Sequence, residues 1–124
     1  MSLTAWLAFL AGGATGAPSR YLLDGFVQSR TRSALPWGTF VVNASGSLVL
    51  GVLTGLALHH GLSPTTKTVL GTGFCGAFTT FSTFAFETVR LAEEDAPRQA
   101  IYNVAANVVV GTVVGALGLV LASH

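Results

Sequence analysis

Residues Gly71 to Phe86 read GTGFCGAFTTFSTFAF, and the reading of this stretch decides the fold. It has the length and apolarity of a membrane helix, yet it is built from residues that loosen one. Gly71, Gly73 and Gly76 weaken a helical backbone, because glycine loses the most freedom on entering it. Thr79, Thr80, Ser82 and Thr83 place hydroxyls where lipid favours none, between Phe74, Phe78, Phe81, Phe84 and Phe86. Irregular backbone at membrane depth survives only where protein or water covers it. A segment that merely crossed a bilayer would not be composed this way, so the stretch is expected to bind or conduct.

The surrounding chain supports a membrane setting. Of its 124 residues 51% are hydrophobic and 9% charged, against about 25% charged in ordinary soluble domains. Four stretches carry no Asp, Glu, Lys or Arg: Met1 to Ser19, Gly38 to Leu58, Thr68 to Phe86 and Ile101 to His124. Each reaches the roughly 18 residues that make a transmembrane helix candidate. An all-α integral membrane protein follows, a single unit over 1–124 with four spans at about 3–26, 36–58, 68–90 and 99–122. Met1 to Ser19 is read as a span and not a secretory leader, since no Lys or Arg precedes Arg20.

Charge excludes some functions. A net charge of +1 offers no basis for nucleic-acid binding. The single Cys75 lies in an apolar span and reads as a small buried residue. His59 and His60 adjoin a helix end with no third ligand in view, and read as solvated loop residues. No phosphate-binding loop, His-Glu-x-x-His or paired-cysteine motif occurs, so no enzyme is expected. Every carboxylate sits near a span end, Asp24 and Glu87 included. That argues against a small multidrug/proton antiporter, which needs one deep in a span.

Pro18 is expected to kink or end the first helix nearby. Arg20 and Asp24, four residues apart, can share a helix face; Arg20 either snorkels to the headgroups or sits at a vestibule drawing in anions. Asn43 can glue two helices or line a pore as a donor. Gly12, Gly13 and Gly16, then Gly46, Gly51 and Gly55, then Gly111, Gly115 and Gly118, mark close-packing faces. Loop one, Val27 to Leu35, holds Arg30 and Arg32; loop three, Ala92 to Arg98, is acidic. Arg30, Arg32, Arg90 and Arg98 face Lys67 across the membrane, which by positive-inside counting puts loops one and three in the cytoplasm.

The polar groups in the spans suit an anion. Asn43, Ser82 and Thr83 are donors without positive charge, and Phe81 and Phe84, three apart, can turn positive ring edges to one face. Neutral donors and ring edges would hold a small anion loosely enough to release it. Alternatively the rings pack between helices and the hydroxyls bond back to their own carbonyls.

GGATGAPSRY at Gly12 to Tyr21, PWGTFVVNASGS at Pro36 to Ser47 and GTGFCGAFTTFSTFAFE at Gly71 to Glu87 resemble the CrcB/Fluc family of fluoride channels. The match spans about residues 12–90, and the fourth segment agrees only in general character. The resemblance implies a passive fluoride-selective channel in the bacterial inner (plasma) membrane, exporting fluoride from the cytoplasm. It implies an antiparallel, dual-topology homodimer with two pores along the subunit interface. By resemblance Phe81 and Phe84 are the aromatic pair that contacts fluoride and Asn43 is the pore-lining amide. Ser82 and Thr83 form a polar track, and Arg20 is the vestibule arginine. The third helix is broken mid-membrane, and the backbone carbonyls of Gly76 and Thr79 hold a structural Na+ that is not transported. Released carbonyls are suitable ligands for a hard cation, and two chains about a two-fold axis would offer four. Where the family often carries a pore-facing Ser, this chain has Gly111 with Thr112 beside it: either Thr112 substitutes or that part of the polar track is absent.

Overall fold

A computed structural model describes residues 2–32 and 35–124. Met1, and Ser33 and Ala34 of the expected first loop, lie outside the described residues. The described chain is helical, and five helices in chain order position everything that follows.

Helix α1, Leu3–Ser29, begins where the Ser2 hydroxyl accepts the N–H of Ala5 at 3.1 Å. Of the two outcomes expected at Pro18, a kink or an end, it does not end there but runs on for a further three turns. A membrane-type helix tolerates the lost N–H because neighbouring hydroxyls and packed helices compensate. The carbonyl that loses its helical donor is that of Ala14; on either side of it Thr15 donates back to the carbonyls of Ala11 and Gly12, and Ser19 to that of Thr15. The helix also outruns the expected boundary at 26, taking the start of loop one into its last turn.

Helix α2, Trp37–His59, has no side-chain cap of its own. Gln28 of α1 supplies one, its Oε1 accepting the N–H of Gly38 at 3.1 Å. Helix α3 covers residues 64–78 and opens on a Ser63 cap for Thr66. Its middle, Thr68–Cys75, is wound in wide π-helical turns before a last α-helical turn, Gly76–Phe78. Helix α4, Phe81–Glu93, and helix α5, Pro97–Ala122, complete the chain.

The three helical stretches Trp37–His59, Pro64–Glu93 and Pro97–Ala122 are long and apolar enough to cross a membrane. The 27 residues of α1 are long enough, but Gly, Ser, Thr, Arg20 and Asp24 dilute its apolarity below theirs. The interior is small: Val42, Leu53, Cys75 and Leu91 are buried, while Leu7, Leu10, Phe26, Val108, Val113 and Leu121 are among many exposed apolar residues. Such an outside suits lipid as solvent, where association depends on close packing and not on hiding apolar surface.

Close packing is what the glycines provide. A Cβ on Gly12 would come within 3.0 Å of the Val69 carbonyl oxygen, and one on Gly73 within 3.0 Å of that of Phe9. Gly16 likewise faces the backbone of Phe74 and Phe78. These contacts seat α1 on α3. Gly51, Gly55 and Gly118 do the same for α2 and α5, the most extensive helix pair. Gly46 departs from its expected companions and faces Phe78 and Thr79 at the end of α3.

Candidate functional site

The third span is interrupted at Thr79 and Thr80, both extended (φ −77°, ψ 162° and φ −149°, ψ 122°). The expected break is present and falls at Thr79 and Thr80, just after Gly76, whereas Gly71 and Gly73 fit α3 against α2 and α1. Three side-chain bonds replace the missing ladder. Asn43 Oδ1 accepts the Thr80 N–H at 2.9 Å, and Asn43 Nδ2 donates to the Thr80 carbonyl at 3.2 Å. The Thr80 hydroxyl then caps α4, accepting the N–H of Thr83 at 3.0 Å.

Two carbonyls are released as a result. In a continuous helix the Thr80 N–H would bond the Gly76 carbonyl and the Thr83 N–H that of Thr79. Asn43 and the Thr80 hydroxyl take those donors instead. Carbonyl oxygens freed this way are ligands of the kind a hard cation takes. One chain supplies two of them, too few for a complete shell.

Beside the break lies a groove of about 490 Å³. Asn43, Ser47, Thr72, Thr79, Phe81 and Asn107 are among the residues lining it. It brings together Asn43, Gly76, Thr79, Phe81 and Phe84 of the expected site. The rings of Phe81 and Phe84 are 5.9 Å apart at 55°, so they do share a face. Phe81 is 78% exposed, an unusual position for a phenyl ring that served only to pack this chain's own interior.

The other expected residues lie elsewhere. Thr83 borders a second cavity of about 710 Å³, with Tyr21, Asp24, Gln28, Glu87 and Arg90 on its walls. Arg20 approaches from α1, its Nη1 3.5 Å from the Thr83 hydroxyl, and its buried Nε has no hydrogen-bond partner among the described residues. Ser82 is exposed on α4. Thr112 is exposed and lines a third hollow with Ser47, Thr54 and Gly111, away from the phenyl rings. The hydroxyls divide between the two readings the sequence left open. Thr79 and Thr88 bond back to the carbonyls of Cys75 and Phe84, whereas Thr80 caps and Thr83 meets Arg20.

Sequence reasoning gave no role to Asn103, Asn107 and Thr39. Asn43 Nδ2 also donates to Asn107 Oδ1 at 3.3 Å, and Asn107 Nδ2 to the Asn103 carbonyl at 2.8 Å. Thr39, buried at the start of α2, donates to Glu87 Oε1 at 2.5 Å. The available signal was the pair of amides four residues apart in a charge-free span, where an unpartnered amide is costly.

Fold and site together define a multi-pass helical membrane protein whose third span is discontinuous and faces a groove of amides, hydroxyls and phenyl rings. Residues 7–119 match the family model described as CrcB-like protein, Camphor Resistance (CrcB), and the chain belongs to that family. It is 50% identical over 106 residues to the fluoride-specific ion channel FluC 1 of Streptomyces avermitilis, covering 86% of each chain. Over 123 residues it is 46% identical to the protein of the same name from Frankia casuarinae, covering 94% of this chain and 95% of that one. A like-named protein of Symbiobacterium thermophilum is 43% identical over 118 residues, with 94% and 95% covered.

Proposed function

We propose that the chain is a passive fluoride channel that lets the ion leave the cytoplasm of a bacterial cell across its inner membrane. The relatives' shared name supports the ion, and the junction of Asn43, Phe81 and Phe84 at the broken third span carries the reading for this chain. Fluoride is small and strongly hydrated, so a pore must replace its water with several donors at once. Neutral hydroxyls and ring edges do so without creating the trap a buried lysine would form. Arg20, beside Thr83, would attract the anion at a vestibule.

The working unit in this reading is an antiparallel homodimer with dual topology, in which α1 also spans the bilayer as the fourth span. The exposed Phe81 and the half-open groove would be closed by a second copy. A Na+ ion at the dimer axis would take the Gly76 and Thr79 carbonyls of both copies, four oxygens in all, and remain fixed. Thr112 would stand in for the Ser replaced by Gly111, although its hollow is separate from the phenyl groove. A proton-coupled antiporter gains nothing from the site: no carboxylate lines the groove among the described residues.

The test is ion efflux from liposomes carrying the purified protein. Fluoride should leave rapidly and chloride should not; equal movement of both would end the assignment. A Phe81→Ile channel should lose fluoride flux while staying assembled, whereas a purely structural membrane protein would be indifferent to the change.

A further inference from the structure

The amides around the break form a single directed chain. It starts at an obligatory donor, the Thr80 N–H, which forces Asn43 to present Oδ1 at 2.9 Å. Asn43 Nδ2 is thereby turned toward Asn107, whose Oδ1 accepts at 3.3 Å. That orientation sends Asn107 Nδ2 back to the Asn103 carbonyl at 2.8 Å and Asn103 Oδ1 at 3.0 Å. Asn103 Nδ2 then donates to the Thr88 hydroxyl at 2.8 Å, and Thr88 donates to the Phe84 carbonyl at 2.8 Å. The chain therefore ends on an obligatory acceptor. With a backbone N–H at one end and backbone carbonyls at the other, flipping any one amide would set donor against donor or acceptor against acceptor.

Both ends lie on the same short piece of structure. Thr80 caps α4 and Phe84 closes its first turn, the turn that carries Phe81 and Phe84. The chain runs from that turn through α2 and α5 and returns to it. Asn103 is 4% exposed, so its side chain has been taken out of solvent specifically to make these bonds. Both N–H groups of Asn43 are also engaged, one to the Thr80 carbonyl and one to Asn107.

We propose that Asn107, backed by Asn103, is a positioning residue that fixes the Asn43 amide and through it holds the α4 turn bearing Phe81 and Phe84. Asn107 does its work on the break without bonding to Thr80. Asn43 in turn acts chiefly as the clamp on Thr80, since its donors are committed within the chain. Only the flux arm of the test below rests on the proposed fluoride function.

The experiment compares wild type, Asn107→Leu and Asn107→Asp in lipid nanodiscs, following backbone amide hydrogen exchange by NMR. Leucine keeps the size but offers Asn43 no acceptor; aspartate, compared at a pH low enough to keep it the neutral acid, keeps an oxygen toward Asn43 and an O–H donor toward the Asn103 carbonyl. The Thr80 amide should exchange about tenfold faster, or more, in Asn107→Leu, from an amide left unpaired in an apolar setting. Amides in the middle of α2 should be unchanged, and Asn107→Asp should restore most of the Thr80 protection. Unchanged Thr80 exchange in Asn107→Leu would overturn the proposal. If leucine loosens the whole bundle, the aspartate variant decides: a folded bundle with Thr80 as unprotected as in the leucine variant would overturn it, and restored protection would support it. In liposomes, fluoride efflux should fall with leucine and recover with aspartate. Should wild type carry no fluoride, the channel reading fails, while the exchange result still decides the role of Asn107.

Discussion

The glycines of α5 look alike in sequence but meet different surroundings, and alanine at each separates them. A Cβ on Gly118 would sit 2.6 Å from the Leu48 carbonyl oxygen and 3.1 Å from the Val52 nitrogen. Both are backbone atoms of α2 and cannot rotate away. An ordinary contact begins near 3.4 Å, so α2 and α5 must part by about 0.8 Å at this point. A gap of that size forfeits about a quarter to a half of each dispersion contact it opens, and overpacking of this kind costs roughly 1–3 kcal/mol. A Cβ on Gly111 would meet the Ser47 hydroxyl at 3.6 Å, an ordinary contact. There the substitution should gain up to about 1 kcal/mol of helix propensity.

Gly118→Ala should therefore lower the apparent melting temperature of the detergent-solubilised protein, and Gly111→Ala should leave it unchanged or raise it. Heating followed by size-exclusion chromatography of the surviving folded fraction measures both. Equal shifts for the two variants, or an unchanged Gly118→Ala, would refute the reasoning that backbone approach sets the α2–α5 contact.

Two further outcomes test the break and the assembly. Thr80→Val should cost about 1 kcal/mol by removing the hydroxyl that caps Thr83, and Thr80→Ser should recover it; in the same melting assay, equal behaviour of valine and serine would show that the hydroxyl is not the cap. A tag on the C-terminus should be reached by an impermeant label from both faces of membrane vesicles if topology is dual, and labelling from one face alone would rule that out.

Much of the fold was legible because membrane helices advertise themselves through charge-free length, and glycine faces through their spacing. The α1–α3 and α2–α5 contacts follow those faces closely. Where the reading missed, a competing interaction decided. Pro18 can kink or end a helix, and α1 does not end there, its Gly12 and Gly16 being seated closely on α3. Of the glycines that loosen the third span, Gly71 and Gly73 are taken up in packing, and only Gly76 adjoins the break. The interruption falls at Thr79 and Thr80, where side chains from α2 and α4 take over the hydrogen bonds. Asn43 was visible as an amide needing a partner; which partner could not be read, because it depends on α2, α3 and α5 converging. Asn103 and Asn107 carried a signal in their spacing, one that acquires meaning only once Thr88 and Asn43 are known to stand at its two ends.

A break in a membrane helix exposes two opposite polarities, and the way this one is satisfied keeps them apart. The end of α3 presents carbonyls, the negative end of a helix, and the start of α4 presents N–H groups, the positive end. Asn43 and the Thr80 hydroxyl remove two of the donors, those of Thr80 and Thr83, and leave the carbonyls of Gly76 and Thr79 released. The N–H groups of Phe81 and Ser82, between them, bond to no acceptor among the described residues. Carbonyl oxygens on one side of the junction suit the proposed fixed cation. The N–H groups of Phe81 and Ser82, at the start of α4, suit the proposed mobile anion. Glycine alone would have loosened both sides equally. The threonines and Asn43 make the junction asymmetric, which is what a site serving two ions of opposite sign requires.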